Sequence, residues 1–104
     1  MIKYNWYRSG AIFGMRYEMD AGSRLPMHSH ESDTLHNVIV LSGHVRFDGE
    51  TLSDLHAGDV FDFDGTKPHT IIAVQKSTIL NLNLNGIPPG YAELPESEHS
   101  GVVP

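Results

Sequence analysis

The sequence predicts an all-β fold, in which short antiparallel strands form a sandwich or a small barrel. Three observations support this prediction. Apolar and polar residues alternate with a period of two in several segments, which is typical of strands with one buried face. Turn sequences rich in Gly and Asp separate these segments at intervals of about 8 to 12 residues. No segment of the 104-residue chain has a convincing helical pattern, and the length fits one domain.

The strands are predicted in order from these patterns. The segment 11–19 alternates, and one of its faces carries Ala11, Phe13, Met15, Tyr17 and Met19. Residues 35–41 and 69–74 are apolar on both faces, so both strands are expected to be covered by a second sheet or a partner subunit. Between them, Val45 and Phe47 alternate with polar residues, and Asp48-Gly49 predicts a tight hairpin.

The last predicted strand and the segment after it differ in character. Leucines and asparagines alternate over residues 80–85. Two interpretations of Asn81, Asn83 and Asn85 are open, a polar wall that faces the ligand or the solvent side of an outer strand, and the leucines on the opposite face favour the solvent side. Residues 86–104 are rich in Pro and Gly, which predicts an extended tail. The expected organisation is therefore one β domain over residues 1–85 and a C-terminal tail over 86–104.

Composition excludes several classes of function. The formal net charge of −6 argues against a nucleic-acid partner, because few basic groups are present to neutralise phosphates. The absence of cysteine excludes disulfides, thiolate metal sites and cysteine nucleophiles. No apolar run approaches the 18 or so residues that cross a bilayer, so no membrane association is expected. No secretory signal is visible at the start, which favours the cytoplasm.

The seven histidines are the unusual feature of this acidic sequence. His28 and His30 lie two residues apart, so in a strand both side chains project from one face. His36 and His69 begin the two β-branched segments, and inside a small barrel all four can converge on one cation. The alternative is that the first pair are polar loop residues and the others merely begin strands. His44, His56 and His99 are expected at the surface.

The spacing around these histidines resembles the two motifs of the cupin family. The first motif reads Gly22-SRLPM-His28-Ser29-His30-ESDTL-His36-NVIVLS-Gly43, and the second reads Gly58-DVFDFDGTKP-His69-TII-Ala73. The resemblance covers residues 22–73. It implies a jelly-roll β-barrel (a double-stranded β-helix), which carries many different functions.

The resemblance also implies a metal site, with departures from the usual pattern. Where the family has a glutamate this chain has His36, so the implied ligands are His28, His30, His36 and His69; Glu31 is an alternative ligand. Asp64 and Thr66 replace a Pro and a Gly, and Ala73 replaces an Asn. The implied cofactor is one divalent transition metal per chain, with iron or manganese favoured and nickel, copper or zinc possible. Four neutral ligands would leave its charge uncompensated, which favours anionic substrates.

The function that these features suggest is a small metal-dependent oxygenase acting on a chelating organic substrate, such as an enol, a diketone, an acid or an aromatic diol. Two alternatives remain open: a non-redox isomerase, epimerase or lyase acting on a sugar or small acid, and a binding or sensing module without turnover. The candidate substrate-pocket residues are Tyr17, Arg24, Val38, Phe47 and Phe61. A homodimer is also expected, through the apolar residues Ile39, Leu41, Ile72 and Val74.

Overall fold

The computed structural model describes residues 1–9, 12–25, 27, 35–83 and 98–103, and the regular structure in this part of the chain is β-strand. No helix long and apolar enough to cross a membrane occurs among these residues. The strands are β1 (Ile2–Ser9), β2 (Ile12–Met19), β3 (Leu35–Ser42), β4 (His44–Asp48), β5 (Leu52–His56), β6 (Val60–Asp64), β7 (Thr70–Ala73), β8 (Ser77–Asn83) and β9 (Glu98–Val103). The all-β prediction is confirmed.

The strands form two antiparallel sheets. One has six strands in the order β6-β3-β8-β2-β1-β9, and the other has three in the order β5-β4-β7. Strands that are distant in sequence lie side by side, because β8 pairs with both β2 and β3 and β7 pairs with β4. Such crossing connections between two packed sheets are typical of jelly rolls.

The strand β9 lies within the stretch that the sequence predicts to be a tail. It pairs antiparallel with β1, with Ile2 opposite Val103 and Tyr7 opposite Glu98. Its sequence carries Gly and Ser and no clean alternation, so no strand was expected there. Residues 84–97 lie outside the described part of the chain, and the division of the chain at residue 85 stays a prediction.

The hydrophobic core lies between the two sheets and follows the predicted alternation. In β4 the burial alternates along the strand, with Val45 and Phe47 buried between half-buried polar neighbours. Burial of each such side chain stabilises the folded state by about 1.5 to 3 kcal/mol relative to leaving it exposed. The other buried members of the core are Ile2, Met19, Leu25, Val38, Val40, Leu55, Phe63, Ile71, Ala73 and Ile79.

The face assignment predicted for β8 is wrong. Ile79 is fully buried, and Asn81, two residues on, lies opposite Met15 on β2 and Val38 on β3, on the side that faces the core. The leucines Leu80 and Leu82 occupy the other face and are half-buried. A period of two shows which residues share a face, but it does not show which face is inward. Asn85 lies outside the described residues.

The turns follow the glycine-containing sequences. Gly22, Gly43 and Gly58 have φ values of 83°, 91° and 91°, a region that side chains other than glycine rarely adopt. The predicted hairpin at Asp48-Gly49 is confirmed, and it joins β4 to β5 with Asp48 opposite Leu52. Its loop contains the three residues 49–51, so that it is one residue longer than the tightest hairpin.

Candidate metal and substrate site

The structure describes the four predicted metal ligands to different extents. His28, His30 and the alternative ligand Glu31 lie outside the described residues. For His36 the backbone is described: it lies in β3, opposite Phe63 of β6 and Asn83 of β8. His69 is described in full and precedes β7. Within the described residues, no group of three or more His, Asp or Glu side chains comes together to hold a metal ion. The four-histidine site therefore stays a prediction.

His69 is a buried histidine with a defined tautomer. Its side chain is buried, with 3% of the residue exposed, and Nδ1 lies 2.7 Å from the carbonyl oxygen of Lys67. A carbonyl oxygen only accepts hydrogen bonds, so Nδ1 carries the proton and donates it. In the neutral ring, the lone pair then resides on Nε2. Histidines that bind metals commonly have this arrangement, because the backbone acceptor orients the ring and makes it more basic.

Aromatic rings surround His69. The ring of Phe47 is stacked with the imidazole at an interplanar angle of 16° and a centroid distance of 6.0 Å, and Phe63 meets it edge-on at 4.7 Å. Phe47 also packs against Phe61 and Phe63, at centroid distances of 4.8 and 4.7 Å. Phe63 is the cross-strand partner of His36, and this places the backbone of His36 next to a ring that contacts His69.

A cavity of about 250 Å³ opens beside these rings. It lies where the β4–β5 hairpin, the end of β6 and the segment before β7 meet, so that both sheets contribute to its wall. The aromatic side is formed by Phe47, Phe61, Phe63 and His69, and the remaining lining residues are Gly49, Glu50, Thr51, Asp62, Asp64, Lys67 and Pro68. The fold therefore joins a buried imidazole to a ligand-sized space.

The rim of the cavity is acidic. Glu50, Asp62 and Asp64 are exposed carboxylates in the lining, and Lys67 is the basic residue there. The hydrogen bond from the Thr66 hydroxyl, supported by the Thr66 backbone N–H, lowers the pKa of Asp64. Asp62 accepts a hydrogen bond from the Asn37 amide. The described lining thus presents three carboxylates and one ammonium group.

The predicted pocket residues separate into two groups. Phe47 and Phe61 line the cavity. Tyr17 packs against the core and donates its hydroxyl to Met15 Sδ at 3.1 Å, and Val38 is buried in the core. Arg24 is exposed, and its backbone bridges to Ile72. None of these last three side chains belongs to the lining of the cavity described above.

Two residues of the wall beside His69, Phe63 and Gly49, are not among the predicted pocket residues. Phe63 alternates with Phe61 along β6, and this period of two is the signal that could have placed both rings on the same inward face. Gly49 was assigned only to a turn. A β-carbon built at Gly49 would lie 2.7 Å from Phe47 Cε1 and 3.5 Å from His69 Cβ, so the glycine makes room for the stacked rings.

A second pair of histidines lies at the opposite end of β4 and β5 from the hairpin. His44 and His56 are cross-strand partners, and their rings stack at 4.2 Å. The hydrogen bond from His44 to Asp54, followed by that from Arg46, lowers the pKa of this exposed carboxyl. His56 is exposed as expected, whereas His44 is half-buried. His99 lies in β9, where the structure describes the backbone.

Comparison with known proteins identifies the family and the fold. The family model described as the cupin domain matches residues 15–82, which include β3 to β7 and the cavity. No curated protein matches the sequence. Among solved structures, an RmlC-like cupin from Desulfovibrio desulfuricans shares 25% identity at a TM-score of 0.73, with 82% of each chain covered. The jelly-roll prediction is confirmed.

Two further structural neighbours differ in their described roles. An HTH_3-family transcriptional regulator from Vibrio cholerae is 17% identical at a TM-score of 0.72, covering 84% of this chain and 51% of its own. A salicylate 1,2-dioxygenase variant from Pseudoaminobacter salicylatoxidans is 13% identical at a TM-score of 0.65, covering 71% and 21%. At these identities the likeness shows the fold alone.

Proposed function

Since the chain belongs to the cupin family, we propose that it is a metal-dependent oxygenase-type enzyme acting on a small chelating organic molecule. The proposed ligands are His28, His30, His36 and His69, which would hold one divalent transition metal per chain. Iron or manganese is the favoured metal, and nickel, copper or zinc is also compatible with imidazole ligands.

One observation carries the proposal: a buried histidine with its Nδ1 proton committed to a backbone carbonyl forms part of the wall of a ligand-sized cavity. This tautomer suits a metal ligand, because coordination through Nε2 needs the lone pair on that nitrogen. The structural similarity to a salicylate 1,2-dioxygenase variant is compatible with oxygenase chemistry on this fold. A bound ion would supply a Lewis acid with open positions for small molecules.

The residues of the chain itself have defined parts in this proposal. The Lys67 carbonyl orients the imidazole of His69, and stacking against Phe47 restricts rotation of the ring. Phe47 and Phe63 are buried, so the wall that they form beside His69 is apolar.

A second candidate is a binding module without turnover. The structural similarity to a transcriptional regulator, at a TM-score of 0.72, favours this alternative because it shows the same barrel fold in a regulatory protein. In that case the cavity would bind a small molecule and release it unchanged. Recovery of a tightly bound ligand without chemical change, from protein loaded with metal, would support this candidate.

Metal content is the first test of the proposed enzyme. Untagged protein is loaded anaerobically with iron(II) or manganese(II), desalted, and measured by inductively coupled plasma mass spectrometry. We expect about one metal per chain in the wild type and a strong loss in His36→Ala and in His69→Ala. A matched control is His56→Ala, because His56 is exposed on β5 and should leave the metal content unchanged.

The remaining outcomes distinguish the candidates. Full metal retention in His36→Ala would remove this residue from the site and favour Glu31 as a ligand. A wild type that takes up no metal would overturn the enzyme proposal and favour the binding module. If metal is bound, oxygen consumption by the iron(II) form is measured with a diketone and with a catechol. Consumption that depends on one of these substrates is the expected result.

A further inference from the structure

We propose that the cavity beside His69 selects a single six-membered aromatic ring that carries no negative charge. As a statement about the substrate, this inference rests on the proposed function: it narrows the chelating molecules considered above to neutral aromatic ones. It concerns the walls of the cavity and can be tested by binding alone. The supporting observations are the composition of the inner wall, the volume and the charge of the rim.

The inner wall favours an aromatic ring over a sugar. Phe47, Phe61 and Phe63 offer ring faces and edges and no hydrogen-bond donor for a hydroxyl group. Phe47 and Phe63 are buried against each other, whereas Phe61 is half-buried and keeps part of its surface toward the cavity. Stacking against an aromatic ring adds about three- to tenfold to affinity beyond the burial of an apolar group of equal area.

The volume limits the size of the ligand. A cavity of about 250 Å³ exceeds the ~150 Å³ apolar cavity that binds benzene, so one ring with one or two small substituents fits. It lies below the roughly 300 Å³ at which pockets for drug-sized ligands begin. We therefore expect a ring with small substituents rather than a larger ligand.

The rim discriminates by charge. Among the described lining residues, a ligand meets the exposed carboxylates of Glu50, Asp62 and Asp64 and one ammonium group, that of Lys67. An anionic substituent is repelled by this set, and the repulsion weakens with added salt because the four groups are exposed. A metal held by neutral ligands would attract anions, and the carboxylates of the rim oppose this attraction. Uncharged aromatic molecules are therefore the ligands that we expect the cavity to favour.

The test uses metal-free, untagged protein and three monocyclic probes of similar size. Benzyl alcohol is neutral and aromatic, cyclohexylmethanol is its saturated counterpart, and benzoate is an anionic aromatic. Dissociation constants are measured by NMR titration of the protein. We expect benzyl alcohol to bind at least threefold more tightly than each of the other two. The difference from benzoate should decrease as ionic strength rises, and the shifted signals should include those of Phe61 and His69.

Variants of the aromatic wall and of the acidic rim test which residues produce the selectivity. Phe61→Leu should reduce the affinity for benzyl alcohol to that for cyclohexylmethanol, whereas Phe61→Tyr should retain the preference. The control is Phe13→Leu, because the ring of Phe13 packs against Trp6 at a tilt of 31° and is not part of the cavity lining. The double variant Glu50→Gln with Asp62→Asn should narrow the difference between benzyl alcohol and benzoate. Circular dichroism confirms that each variant is folded.

Three results would overturn the inference: equal binding of benzyl alcohol and cyclohexylmethanol, tighter binding of benzoate, or no binding of any probe up to its solubility. Because no metal is present, these results are independent of the proposed oxygenase. A protein that prefers benzyl alcohol but takes up no metal would retain this selectivity and lose the proposed function. If the protein binds metal but shows no aromatic preference, the proposed function stands and this inference is overturned.

Discussion

Gly49 determines how closely the aromatic wall approaches His69. The β-carbon of any other residue at this position would lie 2.7 Å from Phe47 Cε1, which is closer than real β-carbons come, and 3.1 Å from Phe47 Cζ. The ring would have to move, and it already packs against Phe61 and Phe63. A hairpin residue without a side chain is therefore a condition for the stacking of Phe47 on His69.

Gly49→Ala should disturb the cavity with little loss of fold. Overpacking of this kind costs about 1 to 3 kcal/mol when neighbours must shift. We expect changed NMR shifts for the Phe47 and His69 rings and weaker binding of benzyl alcohol. Thr51→Ala in the same hairpin is the matched control and should leave the ring shifts unchanged. Unaltered ring shifts in Gly49→Ala would contradict the positioning role of the glycine.

Asp64 makes the stability of the fold depend on pH. Hydrogen bonds from the Thr66 hydroxyl and backbone N–H lower its pKa below the ordinary 3.8. A carboxyl whose pKa is lower in the folded state stabilises the fold above the unfolded pKa, and this contribution disappears as the pH falls through the folded pKa. The stability that Asp64 adds is thus complete above about pH 4.

Asp64→Asn should therefore be less stable than the wild type at neutral pH, and the difference should shrink as the pH falls below 3.8. Urea denaturation at a series of pH values measures the difference. Thr66→Val is the companion variant: it removes the hydroxyl donor and should raise the pKa of Asp64 toward 3.8, which carboxyl NMR titration detects. A stability difference that is constant down to pH 2 would contradict this account.

The connection between β3 and β4 depends on the shape of one turn. Gly43 has a φ of 91°, and a β-carbon there would collide with the Lys76 carbonyl and with Ser77. Ser77 Oγ accepts a hydrogen bond from the His44 N–H at 3.0 Å, so the turn is tied to the first residue of β8. Lys76 O and Ser77 Cα are backbone atoms, so they cannot give way as the end of a flexible side chain could.

Gly43→Ala should be more destabilising than Gly58→Ala. Both glycines have the same φ of 91°, but no atom lies within 4 Å of a β-carbon at Gly58. The cost at Gly58 is the left-handed backbone alone, about 1 to 2 kcal/mol. At Gly43 the collision adds to it, so we expect about 3 kcal/mol or more. Urea denaturation compares the two, and equal losses would rule out a contribution from the collision.

The two sheets meet at the cavity, which makes the site a property of the whole molecule. Phe47 comes from the three-stranded sheet, whereas Phe61 and Phe63 come from the six-stranded sheet. Their rings pack across the interface between the sheets at 4.8 and 4.7 Å. The same contacts that hold the two sheets together therefore form the wall of the candidate site.

The predicted homodimer can be tested on the outer face of the six-stranded sheet. Ile39, one of the residues expected at the interface, lies between Val60 and Leu80 on neighbouring strands, and Val60 is 60% exposed. If this apolar row is the interface, Val60→Lys should shift the protein to monomer in sedimentation velocity experiments. Leu52→Lys is the control, because Leu52 is equally exposed on the other sheet. A wild type that is monomeric at all concentrations would contradict the prediction.

Local patterns determined most of the architecture of this protein. The alternation over 11–19, 45–47 and 80–85 and the β-branched segments 35–41 and 69–74 correctly predict the strands β2, β3, β4, β7 and β8, because burial on one face of a strand imposes a period of two. The spacing of the histidine motifs correctly identifies the family. Both features depend on residues close together in the sequence.

The tertiary structure decided what depends on contacts between distant segments. It placed Asn81 on the inward face, paired β9 with β1, and kept Tyr17, Arg24 and Val38 out of the cavity lining. It also made Phe63 and Gly49 neighbours of His69. A strand pattern shows which residues share a face, but which face is buried, and which residues meet, follows from the packing of one sheet against the other.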